Sequence, residues 1–335
     1  MRLAIYGAGS LGIVPGVYLS RANIQADLIN RNPAQIQALR EKGACVQGEV
    51  SFCASVKALF PEEMEGEYDL IFLMTKQQDN PAVARSLLPY LREDGVLCTM
   101  QNGLPEPGLA EILGADRVLG CVVEWGATLE SPGVSLLTSS ADSLSFSLGA
   151  LTPRGAEKIP TVKAILRAMC PVKVEEDFLG MRWSKLLINA SFSGISTVLG
   201  CTFGEAAQDK RSRRYIQRVI KECIDVAQAE GVQIAPAQGK DIVKLFDYKG
   251  PVKKALSLMI LPKAIKKHRH LKASMLQDLE NCKLTEVDAI NGVVAQRGRQ
   301  AGVPTPVNDR VVEIIHGIER GEYQPRFENL ALLEK

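Results

Sequence analysis

The chain has 335 residues, 46% of them hydrophobic and 23% charged, with 40 Lys and Arg against 38 Asp and Glu for a formal net charge of +2. That length accommodates two cores, the balance is that of an ordinary globular protein, and so small a charge gives no ground for a nucleic-acid or membrane-surface partner. Met1-Arg2 runs straight into a short apolar strand without a signal-type leader, and no later run reaches the roughly 18–20 apolar residues that span a bilayer.

Alternating short apolar strands and amphipathic helices open the chain, the pattern of a parallel sheet with helices on its faces. Strands are expected at Arg2–Tyr6 and Gln25–Ile29, with a helix over 10–21 between them. The next helix is expected at Ala34–Glu41, with Pro33 at its start and Gly43 just past its end. Residues 45–53 alternate as a hairpin turning at Gly48-Glu49 would. Tyr68–Thr75 is a near-continuous apolar run, as in a strand buried on both faces, and a helix over 81–92 and a strand at Val96–Met100 follow it. From Arg117 to Leu148 the composition turns β-rich, with a Ser-Pro-Gly turn at 131–133, suggesting antiparallel strands that complete the sheet. Beyond residue 178 helical spacing takes over, at 181–198, 208–230, 237–247, 252–262, 271–300 and 306–319. The basic segment 249–272 reads either as a solvated helix pair or as an anion-binding lobe, the former being favoured. Eight scattered cysteines without a CxxC pair read as reduced, mostly buried thiols of a cytoplasmic protein. With histidine only at 268, 270 and 316, no zinc site is expected.

Residues 7–12 read Gly7-Ala8-Gly9-Ser10-Leu11-Gly12, directly after a strand and opening a helix. In that setting the first glycine takes a tight turn, the second lets backbone amides approach a pyrophosphate, and the third permits close helix–strand packing. The fold class expected is therefore α/β, a Rossmann-type dinucleotide-binding domain over 1–177 followed by an all-helical substrate-binding domain over 178–335. At the tip of the second strand an NAD site usually offers an acid, but here stand Asn30-Arg31-Asn32. An arginine there can pair with a 2′-phosphate, which points to NADPH, although Arg31 also reads as an ordinary solvated loop residue.

Lys76 and Asn102 follow the third and fourth apolar strands, at the strand ends where doubly wound sheets bind ligands. Each also fits an ordinary turn. Lys185, Asn189 and Ser193 recur at i, i+4 and i+8, a polar line along one helix face that lines a cleft or a solvated surface. A desolvated Lys185 could serve as a proton donor. Ser274 is an alcohol able to bind a carboxylate, and Glu286 taken alone reads more readily as a surface residue.

Taken together, GAGSLG at 7–12, Arg31, Lys76, QNG at 101–103, WSKLLIN at 183–189, SMLQDL at 274–279, TEVDAING at 285–292 and GVPTPVN at 302–308 resemble the ketopantoate reductase (2-dehydropantoate 2-reductase) family. The resemblance implies NADPH-dependent reduction of the 2-oxo acid 2-dehydropantoate to (R)-pantoate in pantothenate and coenzyme A biosynthesis. It implies Lys185 as the general acid, Glu286 as the active-site glutamate, Lys76, Asn102 and Gly126 against the cofactor, and Lys185, Asn189, Ser193 and Ser274 against substrate. It also implies a homodimer, which the residues alone do not show. Three positions depart from the pattern: Ser193, Phe203 and Leu271 stand where the family usually has asparagine. A related reductase of another 2-oxo acid therefore stays open, as does a non-catalytic NADPH-binding sensor, which would have no need of Lys185, Asn189 and Glu286.

Overall fold

A computed structural model describes residues 1–236 and 239–334. The chain separates into two compact units, one of residues 1–101 with 105–178 and the other of residues 102–104 with 179–335.

The first unit carries strands β1 (Leu3–Tyr6), β2 (Ala26–Ile29), β3 (Ala44–Gly48), β4 (Phe52–Ala54), β5 (Lys57–Leu59), β6 (Tyr68–Leu73), β7 (Leu91–Thr99), β8 (Val118–Val123), β9 (Ala127–Ser131), β10 (Val134–Leu137), β11 (Phe146–Ala150) and β12 (Val172–Val174). Eight of them form one sheet in the order β12-β11-β8-β7-β6-β1-β2-β5. All its neighbours run parallel except β8 and β11. The apolar runs are buried on both faces because alternate residues enter different cores. Leu3, Ile5, Leu70 and Phe72 pack with Ile13, Val14 and Val17 of the helix Ser10–Arg21. Ala4, Tyr6, Ile71 and Leu73 pack with Val83, Ala84 and Leu87 of the helix Asn80–Leu87. The chain leaves β1 for β2 on one side and later adds β6 on the other, so β1 and β6 flank the point where strand order reverses. In an open α/β sheet, the crevice at the carboxyl ends of such a pair is where ligands bind.

Two expectations need correction here. The β9–β10 pair does not extend the main sheet but joins β3 and β4 in a second, four-stranded sheet ordered β4-β3-β10-β9. The link is a parallel pairing of β3 with β10, a non-local contact that local alternation does not encode. Nor are all the cysteines thiols, since the hairpin register sets Cys45 opposite Cys53 and the two are disulfide-bonded. Cys98, Cys121, Cys170, Cys201 and Cys223 are buried thiols, and Cys282 is an exposed one.

The second unit is built of helices, among them Phe178–Ile188 from residue 179 onward, Gly194–Leu199, Phe203–Gln208, Lys210–Ala229, Pro251–Ala264, Ser274–Glu280, Val293–Ala301 and Pro306–Glu319. The helix expected at 237–247 begins on residues 237 and 238, which lie outside the described residues, and its described part is the short helix Ile242–Phe246. The single helix expected over 271–300 is interrupted. Cys282 takes a left-handed φ of 53°, and the amides of Cys282 and Lys283 donate to the carbonyls of Leu279 and Asp278. That closes the Ser274–Glu280 helix with a Schellman motif, built on a cysteine where glycine is the usual signal. The helix expected over 181–198 is likewise broken, by a π-helical turn at Asn189–Ser193. No described helix is long and apolar enough to cross a membrane.

Candidate functional site

The glycine turn is shaped by contacts that exclude a side chain at two of its three glycines. Gly7 has φ +110°, and a Cβ there would lie 2.6 Å from the Thr75 amide nitrogen; one on Gly12 would lie 2.3 Å from the Gly7 carbonyl oxygen. A Cβ on Gly9, by contrast, would meet nothing within 4 Å. Gly9 is also the N-cap of the Ser10–Arg21 helix, which has no side-chain cap and no acidic residue in its first turn. By helix geometry the amides of Ser10, Leu11 and Gly12 have no intrahelical acceptor. They make an open, positively polarised cradle of the kind that holds a pyrophosphate.

Beside the turn is a cavity of about 220 Å³ at the ends of β1, β2 and β6, lined by Gly7, Asn30, Arg31, Thr75, Lys76 and Asp79 among others. Asn30 and Asn32 are occupied locally. The Asn30 Oδ1 accepts from the Asn32 amide, and the Asn32 Oδ1 caps the helix Pro33–Lys42 by accepting from Ala34 and Gln35. Arg31 lies 3.9 Å from Asp79 in an ion pair whose side chains are 60% and 66% exposed. Such a pair is worth little in water and is readily exchanged for a phosphate. Sequence reasoning thus found the cations of this cavity but missed Asp79.

Three braces hold the turn and the neighbouring strand ends. The buried Gln35 donates from Nε2 to the Ala8 carbonyl at 2.9 Å, and its Oε1 accepts from the Gly133 amide at 3.1 Å. Ser135 of β10 donates to the Ser10 carbonyl at 2.6 Å. Gln101 exchanges amide hydrogen bonds with Asn80 and donates to the Thr75 carbonyl, tying the ends of β6 and β7 together. Only the last was visible in sequence, as the first letter of QNG. Gly126 does not line the cavity; its amide donates to Ser139 Oγ at 2.9 Å and its carbonyl accepts from Thr138. Asn102 opens the segment 102–104, which belongs to the second unit, where Leu104 joins the core around Trp183.

In that unit Lys185 and Asn189 are half-buried and Ser193 is buried. The π turn starts at Asn189, so Lys185, Asn189 and Ser193 do not form the straight i, i+4, i+8 line expected of an unbroken α-helix. A π turn adds a residue per bond and frees a carbonyl, and such turns gather at functional sites. A second one, Asp288–Gly292, follows Glu286 and packs against the first. The junction is polar and closed to water. Asn291 donates from Nδ2 to the Ala190 carbonyl at 3.0 Å and to Asn308 Oδ1 at 2.9 Å. Asn308 donates from Nδ2 to Glu222 at 2.8 Å, and the amides of Val307 and Asn308 donate to the same carboxylate. Burial pushes the Glu222 carboxyl up from its ordinary pKa, and these hydrogen bonds only partly pull it back. Replacing Asn291 with alanine is expected to destabilise the fold by about 1–3 kcal/mol for each buried group left unpaired. Urea unfolding reads this as a lower midpoint; a change under about 0.5 kcal/mol, typical of a surface substitution, would count against the network.

The segment bearing Glu286 is anchored from the Pro306–Glu319 helix. Glu319 accepts from the Thr285 amide and hydroxyl, each at 2.7 Å, and His316 bridges Glu319 and Asp288 at 2.7 and 3.0 Å. Burial alone would lower the His316 pKa, but hydrogen bonds to Glu319 and Asp288 outweigh it and raise the value. Ser274 is exposed at the start of a helix that packs against the first π turn. Phe203 and Leu271, two of the departures from the family pattern, are brought together, the Phe203 amide donating to the Leu271 carbonyl at 3.0 Å. The Phe203 ring is buried against Phe192, 5.8 Å between centroids, while Leu271 is half exposed.

Comparison with known proteins agrees with this architecture. Residues 3–150 match the model of the family described as Ketopantoate reductase PanE/ApbA, and residues 177–319 match that of its C-terminal part. A 2-dehydropantoate 2-reductase of Streptococcus pyogenes serotype M1 is 28% identical over 323 residues, covering 95% of this chain and 98% of that protein. One of Archaeoglobus fulgidus is also 28% identical over 323 residues, covering 96% and 98%. Among solved structures, a PanE/ApbA family ketopantoate reductase from Ralstonia eutropha JMP134 superposes with a TM-score of 0.79 at 25% identity, covering 96% of this chain and 99% of the other. D-mandelate dehydrogenase with NADH and anilino(oxo)acetate gives a TM-score of 0.82 at 22% identity over the same shares, a likeness of fold. With both its units matched by the family's two models, the chain belongs to the ketopantoate reductase family of oxidoreductases.

Proposed function

We propose that this protein reduces 2-dehydropantoate to (R)-pantoate with NADPH. The observation that carries the reading is the match over 95–96% of the chain to proteins named 2-dehydropantoate 2-reductase, together with family models whose bounds take in the glycine turn and the Lys185 helix. The first unit fits the dinucleotide: the open face at Gly9, the uncapped first-turn amides of residues 10–12 and the Arg31 and Lys76 cations suit a pyrophosphate and a 2′-phosphate. When bound, NADPH supplies the hydride. Lys185 polarises the ketone and donates a proton to the oxygen as negative charge builds there. Asn189, Ser193 and Ser274 hold the substrate's polar groups, and Glu286 orients substrate and cofactor. Asn102 and Gly126 remain proposed cofactor contacts.

The test is turnover of reduced nicotinamide, followed by its absorbance, against a panel of 2-oxo acids that includes 2-dehydropantoate. Robust turnover of 2-dehydropantoate with NADPH is the expected result. Saturable NADPH binding without turnover of any acid would overturn the reading in favour of a sensor. A second reading, a reductase of a more apolar 2-oxo acid, is favoured by one observation: Phe203 and Leu271 adjoin and offer no side-chain amide. A site lacking such contacts discriminates weakly for a substrate hydroxyl, so faster turnover of an unhydroxylated acid would select it.

Cofactor choice is tested separately with Arg31→Ala. Charge-assisted hydrogen bonds are worth about 1.5–3 kcal/mol, so KM for NADPH is expected to rise about 10- to 100-fold while KM for NADH stays put. An equal change for both cofactors would remove Arg31 from the 2′-phosphate.

A further inference from the structure

A larger cavity, about 350 Å³, lies wholly within the second unit. Its lining includes Arg211, Arg214, Gln217 and Arg218 of the helix Lys210–Ala229, Lys254 of the helix Pro251–Ala264, and Glu334. The three arginines recur at i, i+3 and i+7 and so share one helix face. Four cations thus surround one concavity against a single carboxylate. Glu334 pairs with Arg211 at 3.0 Å. Among the described residues, Arg214, Arg218 and Lys254 have no carboxylate within 4 Å, although the charge of Arg218 is felt by the buried Glu222 one turn along the helix. Like charges at this spacing repel, and a chain with 38 acidic residues has ample means of neutralising them. The cations are instead left facing a recess, where low-dielectric walls concentrate their field.

The recess is also preorganised. Gln217 is fully buried and donates from Nε2 to the Lys254 carbonyl at 2.7 Å and to the Ser257 hydroxyl, which fixes one helix against the other. The Arg218 guanidinium lies 5.7 Å from the Tyr215 ring centroid and the Lys254 ammonium 5.5 Å from that of Tyr248, contacts that restrain both cations. A phosphate offers negative oxygens at the spacing that the guanidinium forks take up in pairs.

We propose that this cavity binds a small polyanion with two or more phosphate-type charges, an inorganic or organic diphosphate. The proposal does not depend on the reductase reading. It is tested by calorimetric titration of the full-length protein with inorganic pyrophosphate, with and without saturating NADPH, so that binding at the glycine turn is separated from binding here. Expected is one saturable site that persists under NADPH, weakens about tenfold or more in Arg214→Ala/Arg218→Ala, and is unchanged in Arg31→Ala. Both arginines are exposed, so the fold should tolerate the double variant; if its melting differs from that of the parent, Lys254→Gln carries the same comparison. Absence of saturable binding, competition by NADPH, or equal affinity in parent and variants would each overturn the proposal.

Discussion

Replacing Lys185 with alanine is expected to lower kcat by about two to four orders of magnitude, the usual range for a positioned general acid, with NADPH affinity unchanged. The residue stands one turn before the first π turn, on a helix whose neighbouring positions Trp183, Leu186 and Leu187 are buried in the helical core. That packing fixes the backbone beneath the side chain, and the half-buried position keeps part of it out of water. In the proposed role, an ammonium held there would meet developing negative charge without first reorganising, so its removal is expected to fall on kcat. Lys185→Arg separates this role from one of charge alone. Arginine keeps the cation but does not release a proton at neutral pH, so kcat should stay low. Recovery with arginine would make Lys185 an electrostatic or structural support, and an alanine variant within about threefold of the parent would remove it from the chemistry altogether.

The second large effect contrasts Gly9→Ala with Gly12→Ala. The two substitutions add the same methyl group only three residues apart, yet they should fail differently. At Gly12 the new Cβ collides with the Gly7 carbonyl at 2.3 Å, backbone against backbone, and neither side can move without parting helix from strand. Overpacking of that kind costs about 1–3 kcal/mol, so the protein should unfold at lower urea. At Gly9 the Cβ meets nothing within 4 Å, so the only expected loss of stability is that of exchanging a glycine N-cap for alanine, about 1 kcal/mol or less. The same open space is what the proposed pyrophosphate would occupy. NADPH affinity is therefore expected to fall by one to two orders of magnitude, about 1.4 kcal/mol for each. A stable Gly9→Ala protein that binds NADPH normally would show that the cradle is not used.

These two regions also differ in how far they could be read from sequence. The glycine turn was legible because its constraints are local: a strand, three glycines at fixed spacing and a helix start follow one another within a dozen residues. Arg31 was legible for the same reason, at the tip of the next strand. The π turns were not. Whether an amide bonds four or five residues back depends on what lies opposite, here Asn291 and the carbonyl it takes up, and that partner is 101 residues away. The Cys282 helix end was hidden because a cysteine replaced the expected glycine, and the β3–β10 pairing because register between distant strands leaves no periodic trace. The braces Gln35 and Ser135 look like surface residues until the backbone groups they hold are known.

Those braces bear on the order in which the protein takes shape. The hydroxyl that holds the Ser10 carbonyl is 125 residues beyond the turn at 7–12, and the amide that completes the Gln35 bridge is 98 residues beyond Gln35. At ordinary translation rates the ribosome needs about 6–25 s to cover the longer interval. Until Ser135 has been made the Ser10 carbonyl lacks its side-chain brace, although the Ala8 carbonyl can already take its bond from Gln35. The bracing of the turn is thus complete only once β10 has paired with β3 and brought Ser135 to the Ser10 carbonyl.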